Sequence, residues 1–183
     1  MILLSELAIN EMFDFKNVEE YPIQSTCHQG NSRGKFTLDS GDEVQLQTNE
    51  FPMNWGGYSE KLPKEYNSDK NNFFDLSFIV EGEPGKYTNT DLKEYTRIMK
   101  TVFTWMKEEA IPCIIRTSSS PNPIFHISSH ARDFHPSYEY HGDPVKDRIY
   151  KYLINKYLPS GYRKSELYSK QYKKNVIVFQ KED

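Results

Sequence analysis

Apolar and polar residues alternate in two stretches of the first half of the chain, with the period of β-strands that bury one face. The first stretch covers residues 20–51 and is interrupted at Ser40-Gly41-Asp42, so it predicts a β-meander or a hairpin with one face in the core. Another turn is expected at residues 30–34, which begin and end with glycine. The second stretch, residues 74–80, predicts one further strand.

A helical period of 3.6 residues appears in three other places. Residues 3–13 predict a short amphipathic helix that packs on its own domain or docks on a partner. Residues 91–109 carry one apolar stripe behind an Asn89 or Thr90 cap. Residues 143–158 predict a third helix that ends at the Pro159-Ser160-Gly161 stop.

Two short apolar runs and two long polar segments complete the pattern. Residues 113–115 are expected to form a short buried strand that begins after Pro112, and residues 176–179 a final strand. Residues 52–72 and 117–142 are expected to be long loops. This order predicts a single domain over residues 1–183 in the α/β (mixed α+β) class, with helices packed on a central, mostly antiparallel sheet.

The apolar stripes of these elements define a predicted core. Its members are Leu76, Phe78, Val80, Tyr95, Met99, Val102, Ile114, Ile149 and Leu153.

Charge and cysteine content narrow the possible functions. The net charge is −3 and the chain has no long basic track, which does not favour nucleic acid as a partner. Cys27 and Cys113 lie in no C-x-x-C pair, so two reduced, unbonded thiols of a cytosolic protein are expected. Residues 1–7 lack a basic segment and contain Glu6, so neither a signal peptide nor a membrane helix is predicted and the protein is expected not to be secreted.

Histidines concentrate within residues 125–141. They are His126, His130, His135 and His141. Imidazole binds metals and acts as a general base, and on a helix His126 and His130 would share a face with Asp133 near one of them. No acidic residue lies between that pair, as it does in H-E-x-x-H zinc helices, and three prolines in residues 121–136 favour a polar loop. We therefore expect no bound metal there.

The same segment also matches a phosphoesterase element. His126-Ile127-Ser128 fits the H-x-[ST] pattern of two-histidine phosphoesterases, which need two such elements facing each other. His135-Pro136-Ser137 fits the letters as well, although it follows the first element closely. A hydrolase or metal site using His126, His130 or His135 remains an alternative. The glycines form no nucleotide-binding pattern, and no cofactor is predicted.

The second half carries several short motifs in a fixed order. These are Phe78-Ile79-Val80 ending a strand, Tyr87-Thr88, a helix with Thr101-Val102, a helix with Arg148-Ile149-Tyr150, and Gly161-Tyr162. With these motifs, residues 74–180 resemble a recurrent family of tailed-bacteriophage proteins. The layout of that family is similar to part of the GNAT-type N-acyltransferase fold: strand, phosphate-binding turn, helix, strand, helix, strand.

The resemblance implies a fold related to acyltransferases, and this chain departs from their cofactor signature. A GNAT turn binds the pyrophosphate of acyl-CoA, but the matching turn at residues 86–91 lacks the R/Q-x-x-G-x-G/A glycines and ends in Asp91. Residues 157–162 are similar to the GNAT ending Y-x-x-x-G-F, whose tyrosine can act as an acid toward the departing thiolate. Tyr157 is therefore the candidate catalytic residue if the chain is active.

The resemblance predicts a virion-associated structural or accessory protein that acts through contacts with other phage particle proteins, on a catalytically inactive acyltransferase-like fold. Its expected location is the virion or the host cytoplasm. The resemblance leaves open whether the chain forms a homo-oligomer. The first alternative is an active acyl-CoA-dependent N-acyltransferase using Tyr157. The second is the histidine-loop hydrolase or metal site.

Overall fold

The described strands of this protein form one mixed sheet. The structure, a computed structural model, describes residues 15–51, 62–66, 69–81, 92–128, 144–158, 160–169 and 174–182. Within these ranges the sheet has seven strands in the order β1-β2-β3-β4-β5-β7-β6. They are β1 (Gln24–His28), β2 (Asn31–Thr37), β3 (Glu43–Phe51), β4 (Phe73–Val80), β5 (Ile124–Ser128), β6 (Tyr162–Ser169) and β7 (Lys174–Lys181). Strands β4 and β5 are parallel and the other neighbours antiparallel, so the predicted mixed α+β class is confirmed.

The helices connect β4 to β5 and β5 to β6. Helix α1 (Leu92–Trp105) continues through a π-helical turn (Met106–Ala110) into α2 (Ile111–Thr117), and α3 is Pro144–Tyr157. A short 3-10 turn occupies Lys64–Tyr66. None of the described helices has the length and apolar composition of a membrane-spanning segment.

Hydrophobic side chains lie on both faces of the central strands, as expected where a sheet is covered on both sides. The larger cluster lies between the sheet and the helices and includes Phe74, Phe103, Phe125, Leu153 and Phe179. A smaller cluster lies on the opposite face. Its buried members are Leu62, Tyr66, Phe73, Ile124, Leu167, Val176 and Val178.

The predicted core is confirmed. Leu76, Met99, Val102, Ile114, Ile149 and Leu153 are buried, and Phe78, Val80 and Tyr95 are partly buried against them. The meander over residues 20–51 is also confirmed as β1–β3, although the first turn is shorter than predicted. The chain turns at Gly30, which has a positive φ of 72°. Gly34, the other end of the predicted turn, lies inside β2.

Three assignments of secondary structure were wrong. Residues 113–115, predicted to be a strand, lie in α2, because a short apolar run fits a buried helix turn as well as a strand. Pro112 fits there because it stands in the first turn of α2. Strand β5 lies within the predicted loop 117–142, and β6 was not predicted, because its exposed positions carry charged residues such as Lys164 and Glu166.

The expectation of two unbonded thiols was also wrong. Cys27 of β1 and Cys113 of α2 form a disulfide, with Cα atoms 5.8 Å apart and 86 residues between them along the chain. The tertiary fold brings the two residues together, because α2 packs over the β1–β2 hairpin. The backbone N–H of Gly30 in that hairpin donates to Thr117 Oγ1 of α2 at 2.9 Å.

Several predictions lie outside the described residues. They concern the helix at 3–13, the cap at Asn89 or Thr90, the turn at 86–91, and most of the histidine segment.

Candidate functional site

A carboxylate and an imidazole lie side by side where β4 pairs with β5. Asp75 and His126 are register partners in these parallel strands, and Asp75 Oδ1 lies 3.5 Å from His126 Nδ1. Each residue follows an inward-facing phenylalanine of its strand, Phe74 or Phe125, so both point to the sheet face opposite the helices. This distance is within the range of an ion pair, so the Asp75 carboxylate favours a protonated, positively charged imidazole beside it.

Aromatic rings enclose this imidazole. The ring centroid of His126 lies 6.1 Å from that of Phe51 and 6.5 Å from that of Phe73. The His126 side chain is only 6% exposed, and both ring nitrogens are shielded from solvent. The arrangement encloses the imidazole inside the protein and does not present it to solvent.

A polar network fixes the segment that covers this face. Gln180 Nε2 donates to the carbonyl oxygens of Tyr66 at 3.0 Å and Asn122 at 2.8 Å. The Tyr66 hydroxyl donates to Ser165 Oγ at 3.0 Å, and burial raises the pKa of Tyr66. Arg163 Nη1 donates to the Glu65 carbonyl at 2.8 Å. These bonds tie residues 62–66 to strands β6 and β7.

Strands β4 and β5 pair over a short distance only. The register joins Phe73–Asp75 to Ile124–His126. Beyond these residues the described part of β4 pairs with β3, and the described part of β5 pairs with β7. The Asp75–His126 pair therefore marks the place where this parallel pairing ends.

Tyr157, the acyltransferase candidate, lies on the other side of the sheet at the end of α3. Its ring centroid is 6.3 Å from those of Phe15 and Phe103, both members of the larger core cluster. Burial, followed by the negative charge of Glu20 and the neighbouring Tyr152, raises the pKa of Tyr157 to about 12. Tyr157 and His126 are thus separated by the sheet and do not share a site.

The remaining histidine candidates, His130, His135 and His141, lie outside the described residues. Within the described ranges, no group of three or more His, Cys, Asp or Glu side chains is placed to hold a metal ion. The sequence pattern favoured Asp133 as the partner of either His126 or His130, and Asp75 was missed. The available signal was a carboxylate inside an otherwise apolar strand, Phe73-Phe74-Asp75-Leu76.

Comparison with protein-family models, with curated proteins and with solved structures gives no match to this chain.

Proposed function

We propose that this chain is a structural or accessory protein of a tailed-bacteriophage particle and acts through protein–protein contacts. The resemblance of residues 74–180 to that phage family motivates the proposal. The order of described elements from β4 onward supports it, since strand, helix, strand, helix and strand follow one another as in the acyltransferase-like layout. The proposed location is the virion or the host cytoplasm, without secretion.

The positions of the two described catalytic candidates are the main support for a role without catalysis. His126 is enclosed by Phe51 and Phe73 on one face of the sheet, and Tyr157 packs on Phe15 and Phe103 on the other. An acid and a base that act on one substrate must both lie within hydrogen-bonding reach of it. These two side chains do not meet that requirement together.

The exposed edge strand β1 supports a role in protein–protein contact. Strand β1 is an edge strand that pairs only with β2 among the described strands, and all five of its residues are exposed. It contains no lysine and no proline, the residues that commonly protect an edge from pairing with another chain. A particle protein or a second copy of this chain could add a strand at this edge.

Mass spectrometry of purified particles tests the proposal. We expect peptides of this chain to co-purify with infectious particles through two successive density gradients, at a fixed ratio to a known particle protein. Host cytoplasmic proteins in the same lysate provide the control, because their peptides should fall with each gradient. Loss of this chain in step with the host proteins would contradict the proposal.

The acyl-CoA-dependent N-acyltransferase is a second candidate, and one observation favours it. Parallel pairing of β4 and β5 ends after three residue pairs, which leaves β4 from Leu76 onward without β5 beside it in the described sheet. Ligands of open α/β sheets bind beyond the carboxyl ends of parallel strands. Binding of acetyl-CoA separates the two candidates.

A further inference from the structure

Strand β1 is joined to the rest of the protein by its pairing with β2 and by side-chain contacts of Ser25 and Cys27 with the helical segment. Its backbone pairs with β2, and Ser25 Oγ accepts a hydrogen bond from Trp105 Nε1 at 3.3 Å. The covalent link is the disulfide from Cys27 to Cys113 in α2. The two ends of this link differ in exposure, since Cys27 is exposed and Cys113 is 2% exposed.

A cation lies beside the exposed end of the link. Arg116 Nη2, one turn after Cys113 on α2, donates to Cys27 Sγ at 3.6 Å. A guanidinium beside a cysteine sulfur stabilises the thiolate form, so Arg116 assists the step of thiol exchange in which Cys27 leaves, whereas access decides which sulfur is attacked first. The buried end has polar neighbours as well, because Cys113 Sγ lies 3.5 Å from the Asn31 carbonyl and 3.9 Å from Thr117 Oγ1.

We propose that the Cys27–Cys113 disulfide is a thiol-exchangeable clasp on edge strand β1, opened by attack of an external thiolate on Sγ of the exposed residue Cys27. Cys27 is therefore a modification site that carries the mixed disulfide with a small thiol such as glutathione. The accessible end of a disulfide is the end that an incoming thiolate can reach. Opening the clasp releases β1 from α2 and leaves it held mainly by its pairing with β2.

The exchange proceeds in two balanced steps. In the first, the external thiolate forms a bond to Cys27 Sγ, the Cys27–Cys113 bond breaks, and Cys113 leaves with the electron pair and takes a proton from solvent. In the second, another external thiolate attacks the outer sulfur of the mixed disulfide, and Cys27 leaves as a thiolate beside Arg116. The protein gains two electrons, and two external thiols are oxidised to one disulfide.

Under the proposed function, the chain would be exposed first to a reducing and then to an oxidising environment. It would be made in a reducing host cytoplasm, which favours the open dithiol, and would reach an oxidising medium after release of particles, which favours the closed clasp. This setting rests on the proposed function. The exchange chemistry itself is tested on the purified chain, so that failure of one does not imply failure of the other.

Peptide mapping tests the site of attack. The purified full chain is incubated with reduced glutathione, quenched with an alkylating reagent and digested for mass spectrometry. We expect the glutathione adduct on Cys27 and the alkyl group on Cys113. An adduct on Cys113, or equal amounts on both cysteines, would overturn the assignment.

Single-cysteine variants give a second measurement that does not depend on trapping an intermediate. We expect Cys27 in Cys113→Ser to react with a disulfide reagent at least about tenfold faster than Cys113 in Cys27→Ser. Adding Arg116→Gln to Cys113→Ser should slow the reaction about two- to fivefold, the range for one exposed charge pair. Equal rates for the two single-cysteine variants would overturn the proposal.

Hydrogen exchange tests the release of β1. On reduction of the wild-type chain, we expect backbone amides of residues 24–28 to exchange at least about tenfold faster, while those of 73–80 in the centre of the sheet stay protected. The Cys27→Ser variant should match the reduced wild type without any reductant. Unchanged exchange in residues 24–28 after full reduction would show that the disulfide is not a clasp on this strand.

Discussion

The indole of Trp105 lies directly against the backbone of Gly34. Its Nε1 is 3.0 Å from the position that a Cβ on Gly34 would occupy, and Trp105 itself is almost completely buried. Leu46 and Ile23 lie at 3.2 and 3.3 Å from the same position. Glycine therefore lies in the interior of strand β2 because it permits the helix to approach the strand this closely.

Replacing Gly34 by alanine is expected to lower the free energy of unfolding by about 1–3 kcal/mol, the usual cost of overpacking a filled core. Urea denaturation measures the change. In a Trp105→Phe background the added methyl group meets a smaller ring, so the cost of Gly34→Ala should shrink. An unchanged unfolding midpoint for Gly34→Ala alone would contradict this account of the contact.

The Asp75–His126 pair is expected to act as one unit in stability. Asp75→Leu or His126→Leu alone should each lower the free energy of unfolding by about 1–3 kcal/mol, because each removes one member of the pair and leaves the other polar side chain, buried His126 or partly buried Asp75, in an aromatic environment. The double variant should cost less than the sum of the two, since it removes both polar groups from an aromatic environment. Additive losses in denaturant titrations would show that the two side chains are not coupled.

Tyr157 is expected to make stability fall at high pH. Its pKa is raised to about 12 in the folded protein, against an ordinary value of 10.0. Its contribution is fully present below pH 10 and is lost as pH rises toward 12, because the unfolded chain releases that proton first. Tyr157→Phe keeps the ring contacts with Phe15 and Phe103, so it should leave stability at pH 8 nearly unchanged and make the decline above pH 10 shallower. Unfolding free energies from pH 8 to 12 give the comparison.

The disulfide is expected to make a large contribution to stability. By the chain-entropy relation, a link across 86 residues stabilises the fold by about 4–5 kcal/mol. Cys27→Ser and Cys113→Ser should therefore lose similar amounts in guanidinium denaturation without reductant. Thr26→Ala, at an exposed neighbour in β1, provides the control and should change stability by less than about 0.5 kcal/mol. A wild-type midpoint that is insensitive to reductant would contradict the prediction.

Acetyl-CoA is expected not to bind at micromolar concentration. Residues 87–91 contain no glycine, so close backbone approach to a pyrophosphate is hindered, and Asp91 adds negative charge. The loss of two charge-assisted hydrogen bonds costs on the order of 10²–10⁴ in affinity. Calorimetric titration is the measurement. Micromolar binding that disappears in Tyr157→Phe or in variants of the 86–91 turn would favour the acyltransferase over the particle protein.

The sequence identified only one of the two residues of the candidate site. His126 was identified because histidines are sparse and concentrated in one segment, but the carboxylate expected to orient either it or His130 was the nearby Asp133. The partner is Asp75, on a strand that pairs with β5 in parallel through a long helical connection. Parallel neighbouring strands are joined by a crossover of about a dozen or more residues, so local spacing along the sequence does not identify such a pair.

Local periodicity determined the meander, strand β4, helices α1 and α3, the core and the fold class, because each depends on which side chains of one element face the interior. Tertiary structure decided the contacts between residues on elements that are distant in sequence. It placed Cys27 against Cys113, Asp75 against His126, and Tyr157 and His126 on opposite faces of the sheet. It also made residues 113–115 helical, because they continue a helix that packs on β2. Periodicity describes one element at a time, whereas these contacts arise only when elements far apart in sequence bury their apolar faces together.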